Sequence, residues 1–163
     1  MDRDAVRRAE DADLLLLPEV EGAADAPFAA IGIPLPPGTG SVEDLRAAAC
    51  VLVVGRPVVG FARLEVVDGL AHLEQVSVRP EHQGRGLGSA LLDAALAWAA
   101  GRGFGRVSLT TFADVPWNGP FYRRRGFVEF TAPGPGLLRL REEEVAAGLD
   151  DHARREVLVR DLS

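Results

Sequence analysis

The stretch from Ala71 to Ala100 constrains this chain more than any other. It reads as a strand (Ala71–Val78), a glycine-rich turn (Gln83-Gly84-Arg85-Gly86-Leu87-Gly88) and an apolar helix from Leu87 to about Ala100. Leu87, Leu91, Ala94, Ala95 and Trp98 trace one helical face, with Ala90, Leu92, Leu96 and Ala99 beside it. Such a helix is apolar over most of its circumference and must pack deeply. Gly101 or Gly103 stops it, and Arg106–Phe112 returns as a strand. A right-handed crossover makes that strand parallel to Ala71–Val78.

A glycine turn between strand and helix presents backbone N–H groups at the positive end of a helix dipole. That is an anion site, suited to a phosphate or pyrophosphate. The alternative is a glycine-softened turn with no ligand. A dinucleotide fingerprint needs G-x-G-x-x-G/A, but counting from Gly84 brings Ser89 to the third place, and counting from Gly86 brings Leu91. A Walker loop needs a lysine, and the chain contains none.

What remains is Gln83-x-x-Gly86-x-Gly88 after Val76-Ser77-Val78-Arg79-Pro80. It resembles the acetyl-CoA pyrophosphate loop, V-x-P-x-x-Q-x-x-G-x-G, of the GNAT superfamily of N-acetyltransferases. A second segment, Trp117-Asn118-Gly119-Pro120-Phe121-Tyr122-Arg123-Arg124-Arg125-Gly126-Phe127, loosely resembles that family's N-x-x-x-x-F/Y-Y-x-x-x-G-F signature. Here Asn118 and Tyr122 stand four apart and share a helical face, closer than the family's usual spacing. Asn118 is expected to cap this helix, with Pro120 in its first turn and Gly126 at its C-terminal end. The resemblance covers Val51–Phe130, with Glu156–Leu162 closing the sheet.

The resemblance implies one α/β domain over residues 1–163. Its central mixed sheet is mostly antiparallel, with a splayed parallel pair (Ala71–Val78 and Arg106–Phe112), flanked by helices. Pantetheine would enter the splay. The remaining elements read accordingly. Asp4–Ala9 is a short strand. Asp11 or Asp13 caps a helix to about Ala24. Pro34, Pro36, Pro37, Gly38 and Gly40 make a loop, and Ser41–Asp44 is a capping box opening a helix to about Ala49. Val51–Val54 and Val58–Val66 are strands joined through Gly55-Arg56-Pro57, and Asp68-Gly69 is a tight turn. Trp117–Arg125 is a short helix, Phe127–Phe130 a strand, Leu140–Leu149 a helix and Glu156–Leu162 the last strand.

The same resemblance assigns roles. Main-chain groups of Val76, Ser77 and Val78 would meet the acyl-pantetheine arm: the Val76 N–H polarises the thioester carbonyl, and Val78 pairs as an added strand would. Amides of Gln83, Gly84, Arg85, Gly86, Leu87, Gly88 and Ser89 would hold the pyrophosphate. Asn118 and Tyr122 complete the acetyl-CoA site, with Tyr122 donating a proton to the leaving thiolate. An amine acceptor must shed a proton first, and a carboxylate near the acyl end can take it directly or through water. Glu74 lies two residues before Val76 and so points to the same face, where relatives often carry a catalytic glutamate. Pairing with an arginine on the sheet is the plain alternative. His72 is the second candidate base, and a satisfied strand-end histidine is its plain alternative. Transfer would be direct in a ternary complex. No metal is called for.

Composition bounds the rest. The 163 residues suffice for a real core. A net charge of −6 argues against a general nucleic-acid binder. Glu10, Asp11, Asp13, Glu19, Glu21 and Asp25 crowd the N-terminal part, while Arg79, Arg85, Arg123, Arg124 and Arg125 cluster at the two motifs. Leu14–Leu17 is too short to span a bilayer, so no membrane partner is expected. The single cysteine, Cys50, sits in an apolar run as a small hydrophobe, and a cytoplasmic location is expected. The resemblance allows a homodimer. Against the enzyme reading, for a primary amine of a small molecule or peptide, stands a non-catalytic acetyl-CoA sensor on the same fold. Such a sensor would keep Gln83–Gly88 but need neither Glu74 nor Tyr122.

Overall fold

Two glycine turns and a run of β-branched residues lay down the central strands in sequence order. The computed structural model describes residues 5–36 and 41–162. Among them are seven strands and six α-helices. Hydrogen-bonded strand neighbours run β1-β2-β3-β4-β5-β7-β6, with one parallel pair, β4 and β5. The chain forms two compact units, divided after Glu65, after His72 and after Trp98, so that β4 belongs partly to each.

In the first unit, β1 (Arg7–Arg8) pairs antiparallel with β2 (Cys50–Val54), and β2 with β3 (Gly60–Val67), Cys50 opposite Leu64 and Val54 opposite Gly60. One face of these strands buries Val51, Val53 and Phe61 against Leu14, Leu17, Val20 and Leu45 of three helices, α1 (Asp11–Leu14), α2 (Leu17–Ala30) and α3 (Val42–Ala47). Ser41 caps α3 as expected: its Oγ accepts the Asp44 N–H at 3.1 Å and Asp44 returns the bond to the Ser41 N–H. The expected single helix from Asp11 to about Ala24 is two helices. Glu10, not Asp11 or Asp13, takes the cap position, and Pro18 opens α2 because its missing N–H is harmless in a first turn. α2 then runs through Pro27 to Ala30. The proline-glycine loop lies partly outside the described residues. Cys50 is buried, as expected.

β4 (Leu70–Val78) follows β3 through Asp68-Gly69, both at positive φ (55° and 76°), the two-residue turn that matches strand twist. α4 (Leu87–Gly101) buries Leu87, Leu91, Leu92, Ala95, Leu96 and Ala99, the face set by its apolar spacing. Gly60 makes the close approach possible. A Cβ there would lie 3.0 Å from the Ser77 carbonyl oxygen and 3.3 Å from Leu91 Cδ1.

In the second unit, β5 (Arg106–Phe112) is parallel to the start of β4, Ala71 opposite Val107 and His72 opposite Ser108. Antiparallel to β5 runs β7 (Arg155–Asp161), with Phe112 opposite Arg155, and β6 (Val128–Glu129) pairs with β7. α5 (Gly119–Arg123) is shorter than the sequence suggests. α6 covers Pro135–Ala146 rather than Leu140–Leu149. Its start is fixed from a distance: Asp68 Oδ1 and Oδ2 accept the Gly136 and Leu137 N–H groups at 2.8 and 2.9 Å. With that partner, Pro135 opens a helix instead of breaking one.

Candidate active site

The glycine turn is built from a short 3-10 turn (Pro80–His82) that leads into Gln83 and ends at α4. The Arg79 N–H donates to the Val59 carbonyl at 2.8 Å, tying the end of β4 to the start of β3. Arg79 also meets Glu19 of α2 at 3.3 Å. Gln83 folds back so that its Nε2 lies 3.5 Å from the Val78 carbonyl. Gly84 and Gly86 adopt φ of 82° and 78°, a region closed to ordinary side chains without strain. A Cβ on either would meet nothing within 4 Å, so both face open space. The Ala90 N–H closes the first helical turn onto the Gly86 carbonyl at 3.0 Å. The turn before it has no intrahelical acceptors for its N–H groups, and it carries no acidic side chain to compete with an anion. Gln83 through Gly86 are exposed and Leu87 anchors the turn in the core. The loop therefore has the open backbone cradle that a diphosphate requires.

On β4 both ends are buried and the middle, around Glu74, is more open. Ser77 is buried, its hydroxyl 2.8 Å from Gln75 Nε2, and Val78 is buried beside it. Val76 is half-buried, and Glu74 projects to solvent. His72 is fully buried, with Nδ1 2.9 Å from Ser108 Oγ. Burial lowers its pKa to about 4 against the opposing pull of Glu144 and Asp68. His72 is thus a satisfied histidine, buried in the core and neutral at neutral pH.

In the second unit, Tyr122 is buried on α5, edge-on to Phe121 at 5.1 Å and to Phe127 at 5.7 Å. Burial pushes its hydroxyl well above the usual phenol range, with Arg125 pulling weakly the other way. The group is therefore protonated at neutral pH. Asn118 occupies the cap position without capping. Its Oδ1 instead accepts the Phe112 N–H at 2.7 Å, so the side chain clamps the end of β5 to the start of α5. That bond, to a backbone group six positions earlier, overturns the expected cap. Gly126, at φ 90°, ends the turn after α5 as expected. Of the three arginines that follow Tyr122, Arg123 pairs with Glu156 and Arg125 lies over the Phe121 ring at 3.8 Å.

Residues 30–127, more than half of the chain, match the sequence model of the Acetyltransferase (GNAT) family. The chain belongs to that family. A curated relative, the mycothiol acetyltransferase of Clavibacter michiganensis subsp. michiganensis (strain NCPPB 382), is 43% identical over 68 residues. That match covers 42% of this chain and only 22% of the relative's length. Among solved structures, the ribosomal-protein-S18-alanine N-acetyltransferase from Escherichia coli superposes with a TM-score of 0.70 at 20% identity, covering 98% of this chain and 94% of that one. That likeness shows the fold. A GNAT-family acetyltransferase from Brucella melitensis, solved with acetyl-CoA, superposes with a TM-score of 0.58 at 26% identity, over 80% of this chain and 88% of that one. The mixed sheet with its single parallel pair is the GNAT arrangement that the sequence resemblance implies.

Among the described residues, no three His, Cys, Asp or Glu side chains are grouped to hold a metal. No helix among them is long and apolar enough to cross a membrane.

Sequence reasoning misses an arginine–carboxylate cluster in the second unit. Glu144 of α6 accepts from Thr110 Oγ1 at 2.6 Å, from Arg141 at 2.6 Å and from Arg155 at 3.0 Å. Arg141 also reaches Asp150. These residues come from β5, α6 and β7, and their only sequence signal is a surplus of charge in segments that must pack.

Proposed function

We propose that this chain moves the acetyl group of acetyl-CoA to a primary amine of a small molecule or peptide, by direct transfer in a ternary complex. The observation that carries the reading is the loop from Gln83 to Ser89: two left-handed glycines facing open space at the start of a buried, acid-free helix turn. Acetyl-CoA supplies the thioester. The chain's own groups supply the rest.

Main-chain amides of Gln83, Gly84, Arg85, Gly86, Leu87, Gly88 and Ser89 bind the diphosphate. Backbone groups of Val76, Ser77 and Val78 align the pantetheine arm, and the Val76 N–H polarises the carbonyl. Glu74, exposed on β4, takes the proton that the amine must lose, directly or through water. The Tyr122 hydroxyl, held protonated by burial, gives a proton to the departing sulfur. Asn118 acts on the cofactor side by fixing the end of β5, from which α5 and Tyr122 follow. Cys50 is buried and forms no acyl-enzyme.

Calorimetry of the pure chain against CoA and acetyl-CoA tests the reading, together with thiol release over a panel of amines. Binding of both and release with at least one amine is the expected result. Absence of heat with either form overturns it, and binding without release from any amine points instead to a sensor.

A further inference from the structure

The buried stripe of α2 changes chemistry part-way along the helix. Leu17 and Val20 pack into the core of the first unit. Glu21, Asp25 and Phe28 follow on the same side, at spacings of four and three residues. Glu21 is only 7% exposed, and Asp25 and Phe28 are half-buried. Two carboxylates thus stand where an inward-facing stripe calls for apolar side chains.

A buried carboxylate is costly unless a cation or hydrogen-bond donors meet it. Asp13, buried to a similar degree, meets that demand. It accepts from Arg7 at 2.6 and 3.0 Å and from the Glu10 N–H at 2.8 Å. Glu21 and Asp25 have no hydrogen bond and no ion pair among the described residues. α2 itself carries no basic residue, and Arg79, which reaches the helix, pairs with Glu19 at 3.3 Å. Burial, and after it the charge of Glu21, raise the Asp25 carboxyl to about 6. The two carboxylates therefore lie close enough to repel, with nothing of the chain's own between them. Unlike the sealed Glu156 Oε1, the Glu21 oxygens retain accessible surface, so a small molecule can reach them.

The missing partner is a cation, and the face says which kind. An ammonium donates charge-assisted hydrogen bonds to both carboxylates and removes their repulsion. The carbon attached to it finds the Phe28 ring three residues beyond Asp25, the pairing of charge and aromatic surface that suits an organic cation. A hard metal ion needs more oxygen ligands than two side chains supply, and no third His, Cys, Asp or Glu joins them among the described residues.

We propose that this face of α2 is a binding site for an alkylammonium ion, its nitrogen between Glu21 and Asp25 and its carbon chain toward Phe28. The site lies wholly within the first unit and goes beyond the acetyl-transfer reading, on which it does not depend.

Thermal melts and calorimetry of the full chain above pH 7, without coenzyme, test it. The probes are n-butylammonium chloride, n-butanol as its neutral counterpart, and sodium and magnesium chloride at matched ionic strength. Only n-butylammonium is expected to raise Tm and to give heat. Glu21→Gln and Asp25→Asn keep shape, and each should weaken n-butylammonium binding by about tenfold in Kd. Each variant should melt no lower than the parent chain, because it removes an uncompensated buried charge. Equal shifts with n-butanol or with the inorganic salts overturn the proposal, as does unchanged affinity in both variants. A variant that melts well below the parent, or does not fold, shows its carboxylate to be structural and overturns it too. Heat with n-butylammonium but none with CoA keeps this site and removes acetyl transfer.

Discussion

In the loop from Gln83 to Ser89 the groups available to a ligand are main-chain N–H groups, set by two glycines at positive φ and by the start of α4. Around Glu144 the polar contacts are instead between side chains, brought together from β5, α6 and β7. The first arrangement needs a few adjacent residues in order, and its exposed side chains contribute little to its shape. The second needs partners dozens of positions apart, and each is held by the others. Backbone recognition therefore leaves a local pattern in a sequence, and side-chain recognition does not. The two regions also differ in what a substitution should do.

The largest expected effect falls on the cluster. Glu144 is 14% exposed and joins Thr110, Arg141 and Arg155. Glu144→Gln leaves two guanidiniums without their shared carboxylate, and breaking such a pair costs about 3 kcal/mol or more. Arg85→Ala in the loop should shift stability by less than about 0.5 kcal/mol, since the side chain is exposed. Denaturant unfolding of both variants checks the contrast. A loss in Glu144→Gln as small as that in Arg85→Ala would erase it.

His72 sharpens the same point through pH. Its folded pKa of about 4 lies below the unfolded value near 6.5, so the unfolded chain binds more protons between those limits. Stability is unaffected by this group above about pH 6.5 and falls as pH drops from there toward 4. The full loss is about 3 kcal/mol. His72→Asn should flatten that slope in melts between pH 4 and 7. An unchanged slope would assign the acid sensitivity to other groups.

Tyr122→Phe follows in size. A positioned acid contributes on the order of a hundredfold in rate. The substitution should lower kcat by about that factor while acetyl-CoA affinity stays near wild type, because the ring contacts with Phe121 and Phe127 remain. Single-turnover thiol release measures it, and unchanged turnover removes Tyr122 from the chemistry.

How far the sequence was legible follows from the same difference. β5, β7 and α4 emerge within a residue or so of their expected ends because periodicity and glycine stops act locally. Ser41 and Asp44 cap α3 for the same reason. The misplaced elements are those governed from afar. α6 starts where Asp68 reaches it, 68 positions away in the chain. Of the candidate site, the glycine loop was readable, whereas the cluster around Glu144 was not. Nothing near Glu144 in sequence announces Thr110 or Arg155 as its neighbours.

The smallest effect isolates the loop most cleanly. Gly86 and Gly103 share a left-handed backbone, φ 78° and 84°, and a Cβ on either meets nothing within 4 Å. Alanine at either site therefore carries the same conformational strain, about 1 kcal/mol, and no internal clash. Only at Gly86 does the added methyl stand in the open space before the first turn of α4, where the diphosphate is proposed to lie. Both variants should lose similar thermal stability. Gly86→Ala alone should weaken CoA binding by about tenfold, a difference near 1.4 kcal/mol. Equal affinities in the two variants would mean that the methyl meets no ligand, and that main-chain donors between Gln83 and Ser89 are not what holds the coenzyme.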